Sequence, residues 1–198
     1  MELQVIMLNG PKYAGKTTTA NSLATVRDDT IVTHLMQPVK EDALRFFMDA
    51  GHRAAAYVQE IEEKGWKDEV YSPTGLTYRE MYIQYAQRLR RTDAHAVTNL
   101  WRTHSEAIRT ARLETDQPLQ YMLVPDVRFK HEVELIEKWF GVGNCKLVHV
   151  YREDKDFFGD VGYYVLDHRC EVYPLYNNTD VASATEQLAV IMRGGKLL

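Results

Sequence analysis

Short apolar runs alternate along the chain with longer stretches in which apolar positions recur every three or four residues. That alternation predicts a parallel sheet covered by helices. Strands are expected over residues 3–8, 31–35, 119–124 and 146–151, with a short one at 172–176. Helices are expected over 15–24, 39–50, 53–64, 78–90, 94–113, 130–140 and 181–193. The run 119–124 is apolar on both faces apart from Gln120, the pattern of a strand buried inside the sheet. Between Gly51 and Asp116 the pattern is helical with no strand, so this stretch reads as an insertion between the second and third strands. No repeat, low-complexity tract or linker divides the chain. The expectation is one α/β domain: a core of 1–50 and 117–198, a helical insertion over 51–116, and a lid-like segment at about 153–171.

At 198 residues the chain can bury a core without disulfide or metal staples. Its formal net charge is −4, so overall balance gives no support to a nucleic-acid-binding stripe. Cys145 and Cys170 match no zinc or redox spacing and read as free thiols in a reducing compartment. The first residues lack a basic leader, and no apolar run approaches 18 residues. A soluble, cytoplasmic protein is therefore expected, without membrane contact. Oligomeric state is not legible, and a homodimer is one option.

One segment carries strong chemistry. Gly10-Pro11-Lys12-Tyr13-Ala14-Gly15-Lys16-Thr17 fits G-x-x-x-x-G-K-[ST], follows an apolar strand and precedes a helical pattern. Two glycines let the backbone wrap so that successive amides point at phosphate oxygens, and the next helix adds its positive N-terminal end. Gly10, Lys12, Ala14, Gly15, Lys16, Thr17 and Thr18 are thus candidate ATP ligands. Lys16 is placed to reach the β- and γ-phosphates, and the Thr17 hydroxyl to ligate Mg2+. A three-layer P-loop NTPase fold follows: a parallel five-stranded sheet with a helical substrate-binding insertion and a short lid.

In such sheets ligands sit beyond the carboxyl ends of the strands. Lys40 falls in the first turn of the helix after the second strand, where the helix dipole disfavours a cation; a nearby anion is the expectation. The third strand leads into Asp126-Val127-Arg128. If the chain stays extended through Pro125, alternation puts both side chains on one side. Asp126 can then hold a Mg2+-bound water and Arg128 can fork onto a phosphate; the alternative is a local surface ion pair. Arg152 ends the fourth strand, and Asn177 and Asn178 follow the fifth. In the insertion, Arg79 and then Arg88 are the preferred monophosphate ligands, with Gln84 for a base edge and Trp101 for stacking. Core or solvated roles for these side chains stay open. The segment 153–171, with Gly159, Gly162, Phe157, Phe158, Tyr163 and Tyr164, is either a lid that excludes water or a loop packed by its own aromatics.

The chain resembles the deoxynucleoside monophosphate kinases of tailed bacteriophages, within the P-loop nucleoside monophosphate kinase-like group. The likeness spans most of the length. It rests on residues 8–20, on Pro38-Val39-Lys40-Glu41-Asp42-Ala43-Leu44, and on Val124-Pro125-Asp126-Val127-Arg128 with His131-Glu132. It continues in Val148-His149-Val150-Tyr151-Arg152, Asp167-His168-Arg169-Cys170-Glu171 and Asn177-Asn178. The resemblance implies that Lys40, Asp126 and Arg128 face phosphates, and that Asn177 and Asn178 lie near the adenine of ATP. It also implies phosphoryl transfer from ATP to a deoxynucleoside monophosphate. The insertion is shorter than in better-known members, and Gln87-Arg88-Leu89 stands where a Gly-Thr-Asp is usual.

Three other readings remain. A kinase of the same shape can act on another metabolite such as phosphomevalonate. A GTPase is suggested by Asn177-Asn178-Thr179-Asp180, although the lysine of the guanine-reading motif is missing. A non-catalytic nucleotide-binding protein would bind ATP without acceptor-dependent turnover.

Overall fold

The computed structural model describes residues 2–115, 117, 119–158 and 162–195. The chain falls into two compact units, one of 1–34 with 106–198 and one of 35–105.

The first unit holds a five-stranded parallel sheet of β1 (Gln4–Asn9), β2 (Thr30–Val32), β5 (Tyr121–Val124), β6 (Cys145–Tyr151) and β7 (Glu171–Tyr176). Two further strands, β3 (Val70–Tyr71) and β4 (Leu76–Thr77), lie in the second unit. The sheet order is β2-β5-β1-β6-β7. β5 thus lies in the sheet interior, as its unbroken apolar run predicts, and pairs with β1 from Gln4↔Tyr121 to Met7↔Val124. The helices of this unit include α1 (Lys16–Ala24), α6 (Lys130–Phe140) and α7 (Val181–Met192).

Period-two alternation divides the layers. Ile6 and Leu8 of β1, Val148 and Val150 of β6 and Leu175 of β7 share one core with Ala20 and Leu23 of α1 and Leu188 and Ile191 of α7. On β6 the alternate positions point the other way: the Cys145 thiol meets the Ile136 carbonyl of α6 at 3.9 Å. Helices therefore cover both faces, and the fold is the three-layer P-loop NTPase arrangement.

The connection from β1 leads toward β2 on one side of the sheet, and that from β6 leads toward β7 on the other. The carboxyl ends of β1 and β6 flank this reversal point, the position at which open α/β sheets place their ligands.

The second unit comprises α2 (Gln37–Met48), α3 (Ala54–Lys64), α4 (Tyr78–Thr92), the first half of α5 (Ala96–Glu114) and the β3–β4 hairpin. Ala43, Leu44, Val58, Ile61, Met81 and Tyr82 form its core. The unit begins before the expected insertion because α2 packs on α3 and α4. The hairpin corrects the expectation of a strandless stretch. Each of its strands has only two residues, too few to leave an alternating pattern. Its turn is held by the Tyr71 carbonyl, which accepts from Thr74 and from Gly75 at φ +67°. α4 then starts on a reciprocal cap between Thr77 and Glu80. No helix among the described residues is long and apolar enough to cross a membrane.

The C-terminal edge of the sheet is closed by buried polar side chains. Asn9, with no exposed surface, donates to the carbonyls of Val127 (3.0 Å) and Tyr163 (3.1 Å) and accepts from the Val165 amide (3.1 Å). His149 lies beside it in register; its Nε2 donates to the Val165 carbonyl at 3.0 Å. Burial pushes the His149 imidazole below its ordinary value. The unfolded chain then binds a proton that the folded one refuses, so stability falls as pH drops through and below about 6.5. Replacing His149 with Gln keeps an N–H donor and removes the titration. Urea unfolding at pH values of about 7.5 and 5.5 should show a smaller acid loss in His149→Gln than in the parent.

Candidate functional site

The loop between β1 and α1 is shaped by close approaches. A Cβ on Gly10 would lie 2.5 Å from the Val150 carbonyl oxygen of β6, so only glycine lets the chain leave β1 there. Gly15 has φ +88° and would place a Cβ 2.1 Å from the Asn177 amide nitrogen. That amide donates to the Ala14 carbonyl at 2.7 Å, while the Asn177 backbone amide donates to the Tyr151 carbonyl at 2.8 Å. Tyr13, at φ 65°, takes the left-handed conformation that curls the loop. α1 begins at Lys16 with no side-chain cap, which leaves its first turn suited to an anion. The Lys16 ammonium spans the loop, donating to the carbonyls of Gly10 (2.7 Å) and Pro11 (2.6 Å). Thr17 and Thr18 are exposed in the first turn. Lys12 is exposed, its ammonium 4.8 Å from the Tyr13 ring centroid.

Beside the loop lies a cavity of about 390 Å³ lined by Arg152, Glu153, Asp154 and Asn178. Arg152 donates to Asp154 at 3.0 Å and reaches the Tyr13 carbonyl at 3.4 Å. Lys155, with Arg152, holds the Asp154 carboxyl below its ordinary range. The Asn178 side chain accepts from the Glu153 amide at 2.9 Å. The two asparagines are thus divided: Asn178 borders the cavity, and Asn177 clamps the loop backbone.

Past β5 the chain does not stay extended. It turns at Pro125 and Asp126, so alternation is not what positions Asp126 and Arg128. Val127 between them is buried and its carbonyl is fixed by Asn9, while Glu132 accepts from the Arg128 and Phe129 amides at 2.8 and 3.1 Å. Both Asp126 and Arg128 are partly exposed. His34 approaches Asp126, with Nδ1 3.9 Å from Oδ2. Its position at the site was hidden because the second strand, expected to run to residue 35, ends at Val32.

The segment expected as a lid is packed by its own aromatics where it is described. Tyr164 lies 4.8 Å from both Tyr151 and Phe157 and donates to the Val150 carbonyl at 3.1 Å. Burial pushes its phenol up to about 12. Gly159 lies outside the described residues.

The remaining candidates stand on the second unit. Lys40 has an anion, as the dipole argument expects, but it is the Glu62 carboxylate at 2.8 Å. Burial alone would raise the Glu62 carboxyl; hydrogen bonds from Lys40 and Lys67 bring it below its ordinary value. Arg79 forks onto Asp68 with bonds of 2.6 and 3.0 Å. The Arg88 guanidinium covers the Phe46 ring at 4.6 Å. Gln84 is exposed on α4. Trp101 has no exposed surface, so its ring packs in the interior and offers no face to a base; a stacking role is corrected on that ground.

No family model and no curated protein sequence matches the chain. Among solved structures, it is similar to an unliganded sugar kinase from Janibacter sp. HTCC2649 at 11% identity and a TM-score of 0.44, over 97% of this chain and 95% of that one. It is also similar to the thymidylate kinase from Candida albicans at 11% identity and a TM-score of 0.37, over 98% and 92% of the two chains.

The contact of Gly15 with Asn177 gives a stability test. Gly15→Ala adds a Cβ at a left-handed residue and against the Asn177 amide, and should cost about 1–3 kcal/mol. Thermal unfolding of Gly15→Ala/Asn177→Ala should show less than the sum of the two single losses, because the steric part of the first requires Asn177.

Proposed function

We propose that this chain is a kinase that transfers the γ-phosphoryl group of ATP to a deoxynucleoside monophosphate. The observation that carries the reading is the loop of residues 10–17: a glycine-shaped turn, an uncapped helix start and an ammonium drawn across the loop by two carbonyls. This is the arrangement that a polyphosphate requires. The Arg152 guanidinium beside the loop and Arg128 after β5 add charge suited to a second phosphorylated group.

Phosphoryl transfer depends on positioning and charge neutralisation more than on covalent catalysis. The acceptor is a monophosphate oxygen, already anionic near neutral pH, so the chain need not supply a general base. Lys16 exchanges its carbonyl partners for the β- and γ-phosphates, and the first-turn amides of α1 follow the charge as it moves onto the leaving oxygen. Arg128 and Arg152 orient the acceptor phosphate for in-line attack. Thr17 and Asp126 bring a hydroxyl and a carboxylate, the hard oxygen donors that suit magnesium, and fit a role as its direct or water-mediated ligands. Bound there, magnesium supplies charge neutralisation at the β- and γ-phosphates. Asn178 and the cavity it lines are offered to the nucleoside of ATP. On the second unit, Lys40, Arg79, Gln84 and Arg88 are our proposed acceptor ligands. Lys40 and Arg79 would have to give up Glu62 and Asp68 to serve.

ADP release with ATP and magnesium, measured across a panel of ribo- and deoxyribonucleoside monophosphates, tests both halves of the reading. Release should require an acceptor and should favour deoxyribonucleotides. Lys16→Ala should lower turnover by about two to three powers of ten. Near-normal turnover in that variant overturns the assignment of the loop. Indifference to the nucleobase and sugar overturns the choice of acceptor.

A further inference from the structure

Three chemically distinct metal-ligating groups meet near the amino ends of β6 and β7, opposite the strand ends that carry the phosphate loop. Glu137 lies in the last turn of α6, His168 in the segment before β7, and Cys170 immediately before Glu171. One ligand atom from each of the three lies within 4.8 Å of the others. Glu137 is only 4% exposed and Cys170 only 6%.

Glu137 is held by backbone amides, yet its charge has no counter-ion close by among the described residues. A carboxylate in the last turn of a helix faces the negative end of the helix dipole, and the described residues give it no ion pair. Its Oε1 accepts from the amides of Arg169 (3.0 Å) and Cys170 (2.7 Å), which draws residues 168–170 up to α6. His168 is held through one ring nitrogen, which leaves the other to serve as a donor. Its Nδ1 lies 3.0 Å from the Cys170 carbonyl, which can only accept, so Nδ1 carries the proton and Nε2 the lone pair. A cavity of about 540 Å³, lined by Glu137 and Arg169 among others, borders the carboxylate side of the cluster.

We propose that Glu137, His168 and Cys170 bind a thiophilic divalent cation, with zinc the best match. A carboxylate, a neutral imidazole and a thiolate are established zinc donors, and three protein ligands leave a fourth position for water. The charges close: carboxylate and thiolate together balance the ion, which removes the cost of a buried carboxylate without an ion pair. The thiolate is the ligand form, so the ion must displace the Cys170 thiol proton to solvent as the sulfur–metal bond forms. Metal bonds of about 2.0–2.3 Å require the three donor atoms to draw together on binding. Cys145, on the strand beside Cys170, is the competing sulfur. The register Lys146↔Glu171 sets the two cysteines side by side, and both are free.

The test uses the full chain, nucleotide-free and stripped with a chelator, titrated with Co2+ as the probe and then with Zn2+. One equivalent of Co2+ should bind with a thiolate-to-metal charge-transfer band, release protons, and be displaced by Zn2+ but not by excess Mg2+. Cys170→Ser should remove the band. His168→Asn, at a partly exposed position that should tolerate the change, should weaken Co2+ binding by about tenfold or more. Absence of a thiolate band in the parent overturns the proposal. So does a band that survives in Cys170→Ser and disappears in Cys145→Ser, or an unchanged affinity in His168→Asn.

Discussion

The candidate site depends on a steric constraint at two glycines. The loop that follows β1 is pressed against β6 at Gly10 and against the residue after β7 at Gly15, and neither contact has room for a Cβ. This closeness does more than exclude side chains. It brings the Asn177 amide onto the Ala14 carbonyl, fixing the peptide that precedes the left-handed Gly15 and thereby the direction in which α1 starts. The loop is gripped from strands distant in sequence, so its shape is a property of the assembled sheet. A fixed cradle stabilises a moving charge without reorganising, and pre-organisation of that kind is where a phosphotransferase obtains much of its rate.

Asn9 extends the same logic to the neighbouring strand ends. It is the last residue of β1, fully buried, and it spends its side chain on three backbone groups from two other connections. A buried amide must find partners or cost stability, and here the partners are the Val127 carbonyl between Asp126 and Arg128 and the backbone of Tyr163 and Val165. One side chain thus couples the phosphate loop, the acidic turn after β5 and the aromatic segment. With Tyr164 wedged among Tyr151, Phe157 and His149, that segment is tied to the sheet at residues 163–165. Any motion of the segment has to hinge outside this anchor or break it.

Much of this was legible in the sequence. The glycine loop, the five strands and the interior place of β5 follow from local spacing and from apolar runs, which are strong signals because sheet periodicity and phosphate geometry are short-range. What was not legible depends on long-range contacts or on elements too short to show a period. The β3–β4 hairpin has two residues per strand. The turn at Pro125 and Asp126 replaces an extended run because Asn9 and Glu132 offer the backbone better partners there. Lys40 shows both outcomes together: its unfavourable place on α2 correctly signals an anion, yet nothing local reveals that the anion is Glu62, a helix away. Trp101 illustrates the limit for aromatics, since a core ring and a stacking ring look alike until burial is known.

The two ends of the sheet solve opposite electrostatic problems. At the carboxyl ends, the amides of α1 and the cations Lys16, Arg128 and Arg152 collect positive potential and suit anions. Near the amino ends, α6 arrives with its negative pole, and a carboxylate is buried beside it rather than a cation. Helix-dipole logic alone would place Lys or Arg there, and Lys138 and Arg169 do line the adjoining cavity without forming an ion pair with Glu137. Glu137 holds the backbone of residues 169 and 170, but those amides do not neutralise its charge. The carboxylate instead faces an imidazole with a fixed tautomer and a thiol, donors that are individually weak partners for it but jointly suited to a divalent ion. The placement is explicable if the charge that completes the site comes from solution, so that the same parallel sheet binds anions at one end and a cation at the other.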